Sequence, residues 1–279
     1  MTPELATRLD RALAAADLAA RASANVLEHA VAATVRSKTN PRDLVTEWDE
    51  HSETVIRAAL AQATPEIAII GEEQGTRSDI DIDRDWYWLV DPIDGTVNFA
   101  HGLPMWAISI GLMHGRAPMA GVVAAPAMGW WFSARQGGGA YSVVRGAGIK
   151  STMNVSATTQ FEQALLATGF PYDLATSTDN NLAAWEHMQR TATACRRFGS
   201  ASLDLCMVAM GWFDGYWERK LKPWDVAAGA IIVTEAGGCV TNTTGGSFDP
   251  HKAEIVASNG AIHKALVDQL ALVPGPRER

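Results

Sequence analysis

An apolar run, Trp86-Tyr-Trp-Leu-Val90, ends without a spacer on Asp91-Pro-Ile-Asp94-Gly95-Thr96. Aromatic and β-branched residues in one short block predict a strand, so the two aspartates stand on the turn that leaves it. Carboxylates three residues apart on such a turn can converge on one point. Oxygen-only donors are what a hard cation such as Mg²⁺ selects. Gly95 removes a side chain that would block a phosphate. If Gly95-Thr96-Val97-Asn98 opens a helix, its free N–H groups and positive dipole end face the same place. The plain alternative is an Asp-Pro turn with a helix-capping aspartate.

The 279 residues suffice for one large domain or for two lobes sharing a core. With 47% hydrophobic and 19% charged residues the chain lies far from the disordered class. A net charge of −8 opposes a general role in coating nucleic acid, so no nucleic-acid partner is expected. Cys195, Cys206 and Cys239 are an odd number without a CxxC pair, which argues against a disulfide framework and suits a reducing cytoplasm. Glu4, Arg8, Asp10, Arg11 and Asp17 interrupt the Ala- and Leu-rich start, leaving no signal-peptide core or membrane span there.

Thr2-Pro3 predicts an N-cap and first helical residue, followed by Leu5, Leu9 and Leu13 at helical spacing. A second helix is predicted from about Thr46 to Ala63, with Val55, Ile56, Ala59 and Leu60 as its buried stripe. Glu66 to Ile70 reads as a strand ending on Glu72 and Glu73. Short apolar runs broken by turns between Trp106 and Val144 predict an antiparallel meander. Beyond about residue 150, helices are expected near 178–194, 202–212, 224–236 and 260–271, and strands near 164–168, 214–218 and 253–257. The pattern divides into an α+β lobe over 1–150 and an α/β lobe over 151–279, with a frayed tail from Pro274.

Gly71-Glu72-Glu73 and Trp224-Asp225 are weak signals singly, since they fit solvated loop charges and an ordinary N-cap. Together with the Asp91 motif they gain weight. Gly71-Glu-Glu73, Trp88-Leu-Val-Asp-Pro-Ile-Asp-Gly-Thr-Val-Asn-Phe99, and Trp224-Asp-Val-Ala-Ala-Gly229 with Glu235-Ala-Gly-Gly238 resemble the motifs of the inositol monophosphatase family, in family order. Lys38, Asp43-Leu-Val-Thr46 and Asp49 resemble its N-terminal segment, and Gly199-Ser200-Ala201 and Glu218 its substrate region.

The resemblance implies a layered αβαβα sandwich with a mostly antiparallel N-terminal sheet and a mixed C-terminal lobe, a homodimer, and a phosphatase inhibited by lithium. It implies two to three Mg²⁺ ions: Glu72, Asp91 and the Ile93 carbonyl at the first, and Asp91, Asp94 and Asp225 at the second. By the same resemblance Glu72 would also serve a weaker third ion, whose water would be the nucleophile. Gly95 and Thr96 would bind phosphate. Thr96, held by Asp49, would orient the water, although Thr46-Glu-Trp-Asp49 also fits a capping box. Asp94, Gly199, Ser200, Ala201 and Glu218 would contact substrate.

Asp79-Ile-Asp81-Ile-Asp83 has Arg84 where a calcium loop needs Gly, and reads as a solvated loop. A small phosphorylated metabolite is the expected partner, with no membrane involved. Glu218, matching a family glutamate that contacts inositol hydroxyls, favours inositol monophosphate. Its plain reading is a strand-end charge paired with Arg219 or Lys222. Histidinol phosphate is the runner-up, because a carboxylate equally accepts from an amine. A phosphatase-like regulatory protein that binds a partner is the alternative of another class.

Overall fold

The computed structural model describes residues 2–30, 34–76, 79–144 and 150–273. The expected fraying from Pro274 onward lies outside the described residues. Thr2 caps α1 (Pro3–Leu27): its hydroxyl accepts from the Leu5 N–H at 3.3 Å, and Pro3 at the first turn forfeits no hydrogen bond. A short antiparallel ribbon follows, β1 (Val35–Ser37) and β2 (Leu44–Thr46), which the sequence pattern did not reveal. Next comes α2 (Glu47–Ala63), where Ile56 and Leu60 are buried and Val55 and Ala59 half-buried.

Seven strands then pair in chain order: β3 (Ala68–Gly71), β4 (Trp86–Asp94), β5 (Ala107–His114), β6 (Ala117–Ala125), β7 (Trp130–Arg135), β8 (Ala140–Val143) and β9 (Ser151–Thr152). Only the β3–β4 pair is parallel. The short helix α3 (Thr96–Ala100) separates β4 from β5. The remaining strands, β10 (Leu165–Thr168), β11 (Ala194–Arg196), β12 (Gly215–Arg219), β13 (Cys239–Thr241) and β14 (Glu254–Ser258), form a mixed sheet in the order β11-β10-β12-β14-β13. Its helices are α4 (Leu182–Thr191), α5 (Ala201–Ala209), α6 (Pro223–Glu235) and α7 (His263–Ala271).

The layers follow from which faces are apolar. Helices α1 and α2 cover one face of the seven-stranded sheet through Leu9, Ala16, Ile56 and Leu60 against Trp88, Ile108 and Val122. Helices α5 and α6 are buried almost all round, as their unbroken apolar runs demand, and lie between the two sheets with Val123, Phe132, Tyr216 and Ile255. On the outer face of the second sheet, Met188 of α4 and Leu266 of α7 pack on Leu166 and Trp217. This is the αβαβα sandwich.

Close docking of α6 depends on two glycines paired across β5 and β6, Gly111 opposite Gly121. A Cβ on Gly121 would lie 2.7 Å from the Ala228 Cα, and one on Gly111 would lie 2.9 Å from the Ala227 Cβ.

Candidate metal and phosphate site

Three chain segments deliver carboxylates to one place. Glu72 stands on the turn after β3, Asp91 within β4, and Asp225 in the first turn of α6, and one oxygen from each lies within 4.8 Å of the others. Asp91 is buried, and its Oδ1 accepts from the Ile93 N–H at 3.0 Å. Asp225 is the third residue of α6 rather than its N-cap, which is Lys222, and it accepts from the Lys222 N–H at 2.7 Å while keeping its place in the cluster. Burial, then the charge of Glu72 and Asp94, pushes the Asp91 carboxyl well up. Burial followed by Glu72 does the same for Asp225. Such a cluster stores repulsion that a cation would relieve.

Asp94 points to the same cavity but is gripped by the start of α5. It accepts from the Ser200 hydroxyl at 2.7 Å, the Ser202 N–H at 2.7 Å and hydroxyl at 2.5 Å, and the Ala201 N–H at 3.3 Å. Burial raises its pKa against these hydrogen bonds. Asp94 is thus beside the three-carboxylate cluster rather than in it. Ser200 and Ala201 face the Asp94 turn, and Ser202, which sequence reasoning missed, holds Asp94 most directly. The polar Ser200-Ala-Ser202 ahead of an apolar helix was the available signal.

Thr96 begins α3, and its hydroxyl lies 3.0 Å from both Asp49 Oδ1 and the Ile93 carbonyl. Asp49 also closes the capping box of α2, accepting from the Thr46 N–H at 2.8 Å and hydroxyl at 2.6 Å. Asp49 thus closes the capping box and accepts from the Thr96 hydroxyl at once. Gly95 adopts φ +96°, and a Cβ there would meet the carbonyls of Met105 at 3.0 Å and Gly199 at 3.1 Å. Its glycine identity is therefore required by the backbone itself, in addition to any bound phosphate. Lys38 forms ion pairs with Glu72 at 2.7 Å and Glu73 at 2.5 Å. Burial disfavours its ammonium, yet the charges and hydrogen bonds of Glu72 and Glu73 together outweigh this and raise its pKa.

Glu218 is the penultimate residue of β12, is 9% exposed, and accepts from the Tyr216 hydroxyl. Gly169 makes room for it, since a Cβ there would lie on the Glu218 carboxylate. Arg219 pairs with Asp179 at 3.5 Å, so the expected strand-end pairing is not formed. Burial lifts Glu218 from 4.5 to about 7. One cavity of about 370 Å³ is lined by Glu72, Asp91, Asp94, Gly95, Thr96 and Asp225 and also by Gly199, Ser200, Ala201 and Glu218. Tyr172 and Arg197 line it as well and were not foreseen. Tyr172 follows the strand β10 through Gly169-Phe-Pro, and carboxyl ends of strands are where ligands gather. Trp130 and Trp131 lie elsewhere: Trp130 packs edge-on against Trp212, and Trp131 donates to Asp17 at 2.8 Å.

A family model for the inositol monophosphatase family matches residues 8–273. The chain belongs to the inositol monophosphatase family. It is 39% identical over 240 residues to the inositol-1-monophosphatase of Synechocystis sp., covering 86% of this chain and 81% of that one. It is 40% identical over 235 residues to the chloroplastic phosphatase IMPL1 of Arabidopsis thaliana, 82% of this chain, and spans 61% of that longer protein. The solved inositol monophosphatase of Anabaena superposes with a TM-score of 0.83 at 36% identity over 98% of both chains. Inositol monophosphatases are metal-dependent phosphomonoesterases, and the layered fold is shared with these neighbours. No helix among the described residues is long and apolar enough to cross a membrane.

Proposed function

We propose that this chain hydrolyses the phosphomonoester of a small polyol, inositol monophosphate above all, with two to three Mg²⁺ ions held by Glu72, Asp91, Asp94, Asp225 and the Ile93 carbonyl. The observation that carries the reading is the convergence of Glu72, Asp91 and Asp225 in a cavity shared with Glu218. The donor set fits a hard cation: all oxygen, mutually repulsive, and in part buried. When bound, Mg²⁺ supplies Lewis acidity and charge neutralisation for the phosphoryl group and its attacking water.

The chain's own residues do the rest. Asp49 accepts a hydrogen bond from the Thr96 hydroxyl, which turns a lone pair of the Thr96 oxygen outward, where it would accept from a water and orient it. The first N–H groups of α3 have no intrahelical carbonyl to reach and would donate to the phosphate. Glu218 would accept from hydroxyls of the alcohol, on the side of the cavity formed by β12. A partner-binding role alone has no use for three converging carboxylates.

Phosphate release from inositol 1-phosphate, histidinol phosphate and p-nitrophenyl phosphate tests this, with and without EDTA. Mg²⁺-dependent release, greatest from inositol 1-phosphate, is expected. Equal activity in excess EDTA would refute the metal reading, and preference for histidinol phosphate would refute the polyol. Homodimerisation rests on family resemblance, and a monomer mass in light scattering at micromolar concentration would refute it. The unpaired Cys195, Cys206 and Cys239 favour the cytoplasm, and export of the chain to an oxidising compartment in a fractionated cell would refute that.

A further inference from the structure

Glu53 is a fully buried carboxylate in the middle of α2, where apolar residues would be expected. Its two oxygens are spent on the backbone of the turn after β3. Oε2 accepts from the Glu73 N–H at 2.7 Å, and Oε1 accepts from the Gln74 N–H at 3.1 Å and from Arg57 Nε at 2.7 Å. Arg57 extends the grip by donating to the Ile69 carbonyl at 3.3 Å and to the Gly75 carbonyl. On its other side the same turn is tied to β4, through the Glu72 N–H and the Val90 carbonyl at 3.1 Å. Gly71 is without a side chain where the carboxylate sits, since a Cβ there would coincide with the Glu53 carboxylate.

We propose that Glu53 is a positioning residue for the metal centre: by clamping the backbone on both sides of Gly71 to Gly75 it fixes Glu72 in the orientation that receives the cation. The inference rests on the reading of Glu72 as a metal ligand. Glu53 itself does not line the cavity. Its contribution is preorganisation, because a turn already ordered loses less freedom when the ion arrives, and hydrogen bonds to a charged acceptor are the stronger kind. Groups that orient ligands in this way commonly matter ten- to a hundredfold in metal affinity.

The test uses the full chain with Mn²⁺ as the probe, binding being read by electron paramagnetic resonance without substrate, alongside kcat and the Mg²⁺ concentration for half-maximal activity. Glu53→Gln keeps the size of the side chain but replaces one acceptor oxygen by a donor. Gly71→Ala forces the carboxylate aside and reaches the same turn from the other partner. Both variants are expected to weaken Mn²⁺ binding by about ten- to a hundredfold and to raise the Mg²⁺ requirement in parallel, with kcat at saturating Mg²⁺ near that of the unmodified protein. Glu72→Gln should weaken binding and lower kcat as well. Unchanged Mn²⁺ affinity in folded Glu53→Gln and Gly71→Ala, with weakened affinity in Glu72→Gln, would overturn the proposal. Unchanged affinity in Glu72→Gln would overturn the metal assignment on which it rests.

Discussion

Replacing Glu218 by Gln should make the protein more stable and less able to recognise its substrate. Burial holds the Glu218 carboxyl at about 7, against an ordinary 4.5. A pKa raised by folding means that the folded state binds the proton more tightly. Below 4.5 the group is protonated in both states and costs nothing. As pH rises from 4.5 through 7 the unfolded state ionises first, and above 7 the whole penalty of a buried charge is present. The difference between the two values corresponds to about 3 kcal/mol, at about 1.4 kcal/mol per pH unit. An amide has no such penalty, and its oxygen still accepts from the Tyr216 hydroxyl. Urea unfolding in EDTA should therefore show Glu218→Gln gaining about 2–3 kcal/mol at pH 8 and almost nothing at pH 4. Hydrogen bonds to a charged acceptor contribute about 1.5–3 kcal/mol each before desolvation, so KM for inositol 1-phosphate should rise roughly ten- to a hundredfold, with p-nitrophenyl phosphate nearly unaffected. Equal stabilisation at both pH values, or equal loss on both substrates, would refute the reasoning.

Asp94→Asn should lower turnover at saturating Mg²⁺ by about ten- to a hundredfold, because the amide is a poor cation ligand and presents N–H groups to the donors of Ser200 and Ser202. Near-normal kcat would show that the second ion is misplaced. Gly121→Ala should destabilise the protein by about 1–3 kcal/mol, since the new methyl meets the Ala228 backbone on α6; thermal unfolding at an unchanged midpoint would show that the layers yield freely.

Elements with strong local chemistry were legible in the sequence: α1 from Thr2-Pro3, α2 from Thr46, and β4 from its apolar run into Asp91. The three-residue strands β1, β2, β11 and β13 were not, because their pairing is set by distant partners, such as Cys195 beside Leu166 and Cys239 beside Ser258. Glu72, Asp91 and Asp225 were found because carboxylates at element ends stand out. Glu53 was passed over because a glutamate in mid-helix reads as solvated, and its backbone partners lie some twenty residues on. Tyr172 and Arg197 reach the cavity from loops that no periodicity describes.

Helix α6 touches strands of both sheets and lies on α5, and it also carries the last of the three converging carboxylates. Glu72 and Asp91 come from the first sheet, so a growing chain that has completed every strand through β9 still holds an unfinished set of donors. The set is complete only with α6 docked over Gly111 and Gly121. On the proposed function, incomplete or misassembled molecules would have no working centre, and the rate of phosphate release would count only those chains whose layers have all come together.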